Sequence, residues 1–525
     1  MRLLLKLYLV KEFNEKPAID NLDIKDFYAI NWSHESPKNI FNAVKTLAYS
    51  HLSGISFERS LYDKILEACI KHLPVMEDKQ IKVLLQCLIT LQNVAIVPSI
   101  DKKMTQALNA EFIKRFYNAD TEQMLLIIDA IYQLNIINLD FLWRAIRKLI
   151  SKPYKLSGKA LVQLFFVLPL IDSRSFINMF EIECRLEECM HELVADEIGI
   201  IARGFFLNRK SINNKALLPI MIDKFMKHAA TVNSVNLASF MKLIRYSNAL
   251  HCLKNFQELL KSLHGQIPRL SLKCLTHITH AFGSLRIYDE ILTNNIIQRL
   301  EKEMDIARVK DIERIIYGIC TITPITDYYR NVLIPLYIEY RFPTSLVRIL
   351  TFLTIKNIYI PELIHYVFDP TFMKNTYRNN LNLLTNEWLI LHCSVKIELP
   401  HYKGPLLTNN MYECLIKVQC RIDVYVDYIL PQYSTRDIVI GMDTCNNPIK
   451  IESILSTMPT NSIKSVNNDE LKKIKWKVIV PIMVLMKVLG HDDYIGYMQR
   501  KCRQFEVIGY TPIIVISKII VSFLQ

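Results

Sequence analysis

Ile127-Ile-Asp-Ala-Ile-Tyr-Gln-Leu134 is the stretch whose reading decides how most of this chain folds. Its apolar residues stand at 127, 130, 131 and 134, and offsets of three, four and seven place them on one face of a helix. The pattern is apolar, two positions, small or apolar, apolar, two positions, apolar. It recurs as Ile40/Ala43/Val44/Leu47 and Leu84/Cys87/Leu88/Leu91, then from Leu161, Ile201, Leu237, Ile278, Ile315 and Leu346. The fourth positions fall at 43, 87, 130, 164, 204, 240, 281, 318 and 349. Where that position is small, a neighbouring helix can approach closely. A second helical stretch follows each copy, for example Phe141-Leu-Trp-Arg-Ala-Ile-Arg-Lys-Leu-Ile150. Two helices per repeat of about 35–45 residues predict an α-solenoid over 36–370. The drifting period excludes a strict tetratricopeptide or ankyrin array and leaves an irregular all-helical domain as the alternative.

The chain has 525 residues, 51% of them hydrophobic, enough for several domains or one long array. No apolar run reaches the roughly 18 uncharged residues that span a bilayer. With 12 glycines and 20 prolines, disorder and a many-turned all-β fold are disfavoured. A net charge of +13 and a pI near 9.0 favour an anionic partner, a nucleic acid or an anionic membrane surface. Twelve cysteines occur without a Cys-x-x-Cys pair. Cys87, Cys274 and Cys320 fall among apolar helix positions, which predicts reduced, buried thiols rather than disulfides or a zinc site. The segment Met1–Lys11 is short, basic and amphipathic, but Glu12 and Glu15 follow at once, so 1–35 reads as a weak targeting segment at most.

The character changes after residue 370. A helical run, Leu381 to Ile397, leads into the loop Glu398-Leu-Pro-His-Tyr-Lys-Gly-Pro405. Beyond it, Arg421–Pro431 and Asp437–Asp443 read as strands, with a turn at Asn446-Asn447-Pro448. Two β-branched runs, Lys477–Ile482 and Pro512–Ile516, flank a basic helical stretch from Tyr497 to Phe505. The order strand, helix, Gly509-Tyr510, strand resembles the end of the RAP domain, the small module that closes the FAST kinase domain-containing proteins. The Glu398–Pro405 loop resembles a segment of the same family's FAST region, and the two matches stand in the family's order. The resemblance divides the chain into an N-terminal segment 1–35, helical repeats 36–370, a connecting segment 371–410 and a RAP-like α/β domain of restriction-endonuclease-like fold over 411–525. It implies a predominantly α protein of the mitochondrial matrix that binds mitochondrial RNA. The implied role is in processing, stability or translation of transcripts, with other RNA-processing proteins as further partners. One departure is plain: the last strand runs into Ser517-Lys-Ile-Ile-Val-Ser-Phe without the Glu-Trp pair common near the end of RAP domains.

The chemistry of an enzyme is thinly represented. Phosphoryl transfer needs a glycine-rich phosphate loop, a strand lysine and two catalytic acids, and none of those motifs is present. The restriction-endonuclease-like fold would hold Mg²⁺ between an Asp on one strand and an acid on the next. Asp427 fits the first place. The strand from Trp476 offers no acid, leaving only Asp492 and Asp493 beyond it. A hydrogen-bonded strand-end acid for Asp427 and a helix N-terminus for Asp492 and Asp493 are the preferred readings. His277 and His280, one turn apart, lack an evident third ligand and read as partly solvated histidines. No metal site and no cofactor is expected, and binding is favoured over catalysis.

RNA is gripped by cations and aromatic rings together. The mixed clusters are Trp143 with Arg144, Arg147 and Lys148; Phe206 with Arg203, Arg209 and Lys210; Tyr246 with Lys242 and Arg245; and, near the C-terminus, Arg500, Lys501 and Arg503. Each alone reads more readily as a solvated helix face; together, and with the net charge, some are expected to touch phosphate. A Mg-dependent endoribonuclease and a protein-only solenoid scaffold are the alternative functions.

Overall fold

In the computed structural model the described residues are 24–52, 57–93, 102–136, 139–171, 178–247, 249–322, 343–378, 380, 383–421, 437–449, 474–482, 487–488 and 493–516. The helices are α1 (Ile24–Ala29), α2 (Pro37–Leu52), α3 (Arg59–His72), α4 (Asp78–Asn93), α5 (Lys102–Arg115), α6 (Thr121–Gln133), α7 (Asp140–Ile150), α8 (Gly158–Val167), α9 (Met179–Cys189), α10 (Ala195–Leu207) and α11 (Leu217–Lys227). They continue as α12 (Ser234–Tyr246), α13 (Leu253–Ser262), α14 (Leu272–Leu285), α15 (Glu290–Lys302), α16 (Val309–Ile322), α17 (Pro343–Ile355), α18 (Pro361–Val367), α19 (Pro370–Tyr377), α20 (Asn386–Glu398) and α21 (Asn409–Arg421). A small sheet of β1 (Ile438–Met442), β2 (Pro448–Ile449), β3 (Lys475–Ile482) and β4 (Thr511–Ile516) follows, with α22 (Gly496–Val507) between β3 and β4. The chain divides into two compact units, Met1–Phe225 with Tyr246–Asn248, and Met226–Arg245 with Ala249–Gln525.

In the first unit the motif-bearing helices stack in sequence: α2 on α4, α4 on α6, α6 on α8, α8 on α10. The intervening helices form their own layer, α3 on α5 and α5 on α7. Ile127, Ala130, Ile131 and Leu134 are all buried, as the pattern requires. Each large apolar side chain so buried contributes about 1.5–3 kcal/mol. At Gly204 a Cβ would lie 2.5 Å from the Phe165 carbonyl oxygen, so only glycine lets α10 come this close to α8. The rings of Phe165 and Phe205 stack beside it, 4.7 Å between centroids.

The helix ends are written locally. Asp120 and Ser157 cap α6 and α8 by accepting from the amides of Gln123 and Ala160. Asn135 and Arg209 take left-handed backbone angles just past α6 and α10, and Ile136 N and Lys210 N reach back to Ile131 O (3.1 Å) and Phe205 O (3.0 Å). The second unit repeats the device at Arg286 and Asn357. This six-to-one closure satisfies carbonyls that the helix leaves without partners.

In the second unit α14 packs on α16, α16 on α17 and α17 on α20. A Cβ on Gly318 would meet Thr279 O at 2.4 Å, and one on Gly283 would meet Gly318 Cα at 2.7 Å, so α14 and α16 run nearly backbone to backbone. The sheet order is β2-β1-β3-β4, β1 antiparallel to both neighbours and β3 parallel to β4. A parallel pair needs a crossover, which α22 supplies. The two β-branched runs and the basic helix between them thus form as expected. Arg421 does not open a strand; it ends α21. The rest of the expected strand, with Asp427, lies outside the described residues, as does Asp492.

Cys87, Cys274 and Cys320 are free and buried, and desolvation pushes each thiol up to about 12. His277 and His280 correct an expectation: both are 3% exposed, because the close pairing of α14 with α16 covers the face that carries them.

Candidate nucleic-acid interface

On α14, Lys273, His277 and His280 follow at intervals of four and three, so they share a face. Arg314 and Tyr317 do the same on α16, and Lys242 and Arg245 on α12. The Ser271 amide at the head of α14 donates to Ser234 Oγ at the head of α12 (3.2 Å). The His280 and Tyr317 rings meet edge to face, 4.9 Å between centroids. Tyr317 in turn meets Phe352 of α17 the same way at 5.3 Å. Three helices of the second unit therefore present one basic and aromatic face.

The electrostatics of that face are one-sided. Burial first, and then the charges of Lys242, Arg314, Arg245 and Lys273, hold the His277 imidazole down to about 2. Burial, Arg245 and Arg314 likewise hold His280 well below its ordinary value. Both rings are neutral at any physiological pH, while Lys242, Arg245 and Arg314 are half-buried and Lys273 is exposed.

The clusters in the first unit are arranged differently. On α7, Arg144 is exposed and Arg147 lies over the Trp143 ring at 5.2 Å, with the indole 40% exposed. Lys148 turns inward: its ammonium donates to Tyr117 O and sits 4.8 Å from the Tyr117 ring centre. Arg203 and Arg209 are exposed, Lys210 is half-buried, and Phe206 meets Tyr246 edge to face at 5.3 Å.

The C-terminal cluster is not a surface. Arg500 is 1% exposed and donates to Thr351 O (3.2 Å) and Thr354 Oγ1 (2.9 Å). Lys501 is buried on Asp437 at 2.7 Å. Arg503 donates to Thr354 O (2.6 Å), Ile355 O (3.2 Å) and the Glu398 carboxylate. Thr354 and Ile355 end α17, where carbonyls lack intrahelical partners and the helix dipole is negative. The cations close that helix end and tie α22 to Glu398, the last residue of α20, so the expectation that they meet RNA gives way to an internal role. Gly496 seats the start of α22, since a Cβ there would lie 2.4 Å from both Cys320 O and Ile355 Cγ2. Asp493 is exposed, and its charge acts on the buried Lys356 ammonium, whose own value burial lowers.

No family model matches the chain. Among curated proteins it is similar to the mouse protein "FAST kinase domain-containing protein 5, mitochondrial", 22% identical over 411 residues, which is 74% of this chain and 51% of that protein. The proteins of the same name from Macaca fascicularis and human are 24% and 22% identical over 267 residues, 49% of this chain and 35% of each of them. The chain is similar to these members of the FAST kinase domain-containing family. It spans about half the length of the mouse relative. The relatives are mitochondrial by name. Among the described residues no helix is long and apolar enough to cross a membrane.

Sequence reasoning finds Lys242 and Arg245 but misses Lys273, Arg314, the histidines and Tyr317 as part of this face. The signal is there in part. Relative to the repeat's fourth position, His277 and Arg314 stand at minus four, His280 and Tyr317 at minus one. Aligning successive copies brings the polar residues of α14 and α16 into one file.

Proposed function

We propose that this chain is a mitochondrial RNA-binding protein that acts after transcription, on the processing, stability or translation of mitochondrial transcripts, and that it works without kinase chemistry. The observation that carries this reading is the set of cations on α12, α14 and α16, Lys242, Arg245, Lys273 and Arg314, on helices that also carry the neutral, buried His277 and His280 and the Tyr317 ring against His280. Phosphate neutralisation supplies sequence-independent affinity, and rings beside it stack bases. The exposed Trp143–Arg147 pair and the Arg203, Arg209 and Lys210 group are secondary contacts in this reading. The RAP-like module, locked to the last repeats through Arg500, Arg503 and Glu398, fixes the end of the helical array rather than gripping RNA with those cations.

The test is binding of single-stranded RNA to the full chain by filter retention across salt concentrations. Affinity should fall linearly with salt on logarithmic axes. Arg245→Glu with Lys242→Glu should weaken binding at least tenfold and lower the slope by about one for each phosphate no longer neutralised. RNA affinity that is absent near physiological ionic strength, or indifferent to salt, would overturn the proposal. Associations unchanged by RNase would favour a protein scaffold instead.

A further inference from the structure

We propose that the cleft between the N-terminal ends of α6 and α8 receives one unpaired guanine base of an RNA strand. The inference rests on the RNA-binding reading above and adds which base the first unit selects.

The cleft has a volume of about 360 Å³, and every residue that lines it belongs to the first unit. That is the size of a small-ligand pocket, enough for one base with its ribose and too small for a duplex. Three successive motif-bearing helices form it: Lys82 comes from α4, Glu122 and Leu126 from α6, Lys159 and Ala160 from α8. The repeat explains the lining. Counted from the fourth positions at 87, 130 and 164, Lys82, Leu125 and Lys159 all stand at minus five, and Leu126 and Ala160 at minus four. Helices stacked α4 on α6 and α6 on α8 bring these equivalent positions side by side.

The walls are held in place before any ligand arrives. Gln163 Nε2 donates to Leu125 O (3.0 Å), which ties α8 to α6 at the cleft. Asp120 Oδ1 accepts from Gln123 N (2.8 Å) and Ser157 Oγ from Ala160 N (3.2 Å), so both helix starts are capped. Gly158 N donates to Glu192 Oε2 (3.0 Å), and the Lys159 ammonium is paired with Glu197 of α10. A site fixed in this way loses little freedom on binding.

The polar lining carries both signs. The Asp120 and Glu122 carboxylates only accept, and the Lys82 and Lys159 ammonium groups only donate. Two carboxylates repel a phosphate, which argues against a seat for the RNA backbone. A base edge suits the mixture, because it offers donors and acceptors together, and Leu126 and Ala160 give its ring an apolar surface. Guanine is singled out by its Watson–Crick edge. N1–H and N2–H stand side by side and fit the two oxygens of one carboxylate, and the neighbouring O6 accepts from an ammonium. Adenine and cytosine offer one amino group beside a bare acceptor, and uracil one N–H between two carbonyls. Glu122, exposed on the first turn of α6, takes the carboxylate's part, since Asp120 is engaged as a cap. Lys82, half-buried on α4, takes the ammonium's, since Lys159 is held by Glu197.

The experiment measures binding of the full chain to fluorescent octauridylate by anisotropy at physiological ionic strength. One central uracil is kept or replaced by guanine, adenine, cytosine or hypoxanthine. The guanine strand should bind about tenfold tighter than the adenine, cytosine and all-uracil strands. Hypoxanthine, which lacks only the N2 amino group, should keep a preference of about threefold or less. Glu122→Gln should reduce the guanine preference to below about twofold while octauridylate affinity stays the same, and Lys82→Ala should cut it to about threefold, with melting curves confirming the fold. Should either variant fail to fold, the hypoxanthine strand still decides, because it leaves the protein unchanged. Equal affinity for all five strands, or a preference for another base, would overturn this inference and leave the RNA-binding reading standing. A guanine preference that survives both Glu122→Gln and Lys82→Ala, or that hypoxanthine shares in full, would overturn it too. Guanosine monophosphate binding as tightly as the guanine strand would overturn it in favour of a free nucleotide as the ligand. Failure of every strand to bind would sink the RNA-binding reading itself.

Discussion

Replacing Glu398 with glutamine should loosen the C-terminal helix from the repeats, and the size of the effect follows from its partners. The carboxylate is 3% exposed. It accepts from Arg503 Nε at 2.5 Å, from Gln504 Nε2 at 3.1 Å and from the Tyr359 hydroxyl. A neutral amide of the same shape keeps some of these bonds but removes the charge opposite a guanidinium that is only 23% exposed. Breaking one side of a buried pair costs about 3–5 kcal/mol when the remaining charge has no relief. Arg503 retains Thr354 O and Ile355 O, so about 2–3 kcal/mol is the expected loss for docking of α22. Hydrogen exchange of the full chain reads this directly. Amides in the middle of α22, between Gln499 and Gln504, should exchange roughly 30- to 150-fold faster in Glu398→Gln, since each 1.4 kcal/mol is tenfold. Amides of α6 and α8 should not change. A double-mutant cycle with Arg503→Gln should return a coupling of about 2 kcal/mol. Unchanged exchange in α22, or a coupling near zero, would refute the claim that Glu398 anchors the module.

Two buried ionisable groups and one close helix crossing give further expected outcomes. Asp129 is fully buried, desolvation raises its value to about 6, and Gln133 donates to it at 2.8 Å. The folded state therefore favours the protonated form, and stability is lost as pH rises from about 4 through about 6. Asp129→Asn should be more stable than wild type at pH 7.5, by up to about 3 kcal/mol, with the gap closing below about pH 4 in urea titrations. His277 behaves oppositely. With its value held down to about 2, the unfolded chain takes up its proton first, so stability is lost as pH falls below about 6.5; His277→Gln should flatten denaturation curves between about pH 6.5 and 4. Gly318→Ala would set a methyl 2.4 Å from Thr279 O, and forcing α16 off α14 should cost about 1–3 kcal/mol and weaken RNA binding as the Arg314 side of the cluster moves away, measurable by thermal melts and anisotropy.

The sequence by itself determined the repeat and the order of its parts. An offset of three, four and seven is a local property, because a helix's own geometry fixes which residues share a face. Ile127 to Leu134 therefore announced a buried stripe before any neighbour was known. The β-branched runs at Lys477 and Pro512 likewise emerged as β3 and β4, and the loop after Glu398 as the end of α20. Local periodicity also placed Lys242 and Arg245 together. What it could not fix is what lies opposite a face, since that depends on how closely two distant backbones approach. Gly318 against Thr279 brings α14 and α16 near contact, and only then do the helices that carry Lys273, Arg314 and the buried histidines become neighbours. The same long-range packing reversed the reading of Arg500, Lys501 and Arg503. As a sequence they are three cations in four positions on an amphipathic helix, the pattern of a phosphate-binding edge. In the fold they meet the unpaired carbonyls at the end of α17, Asp437 and Glu398, residues up to 149 positions away. A buried carbonyl without a donor costs free energy wherever it stands, so the tertiary structure, not the local pattern, decided that these charges face inward.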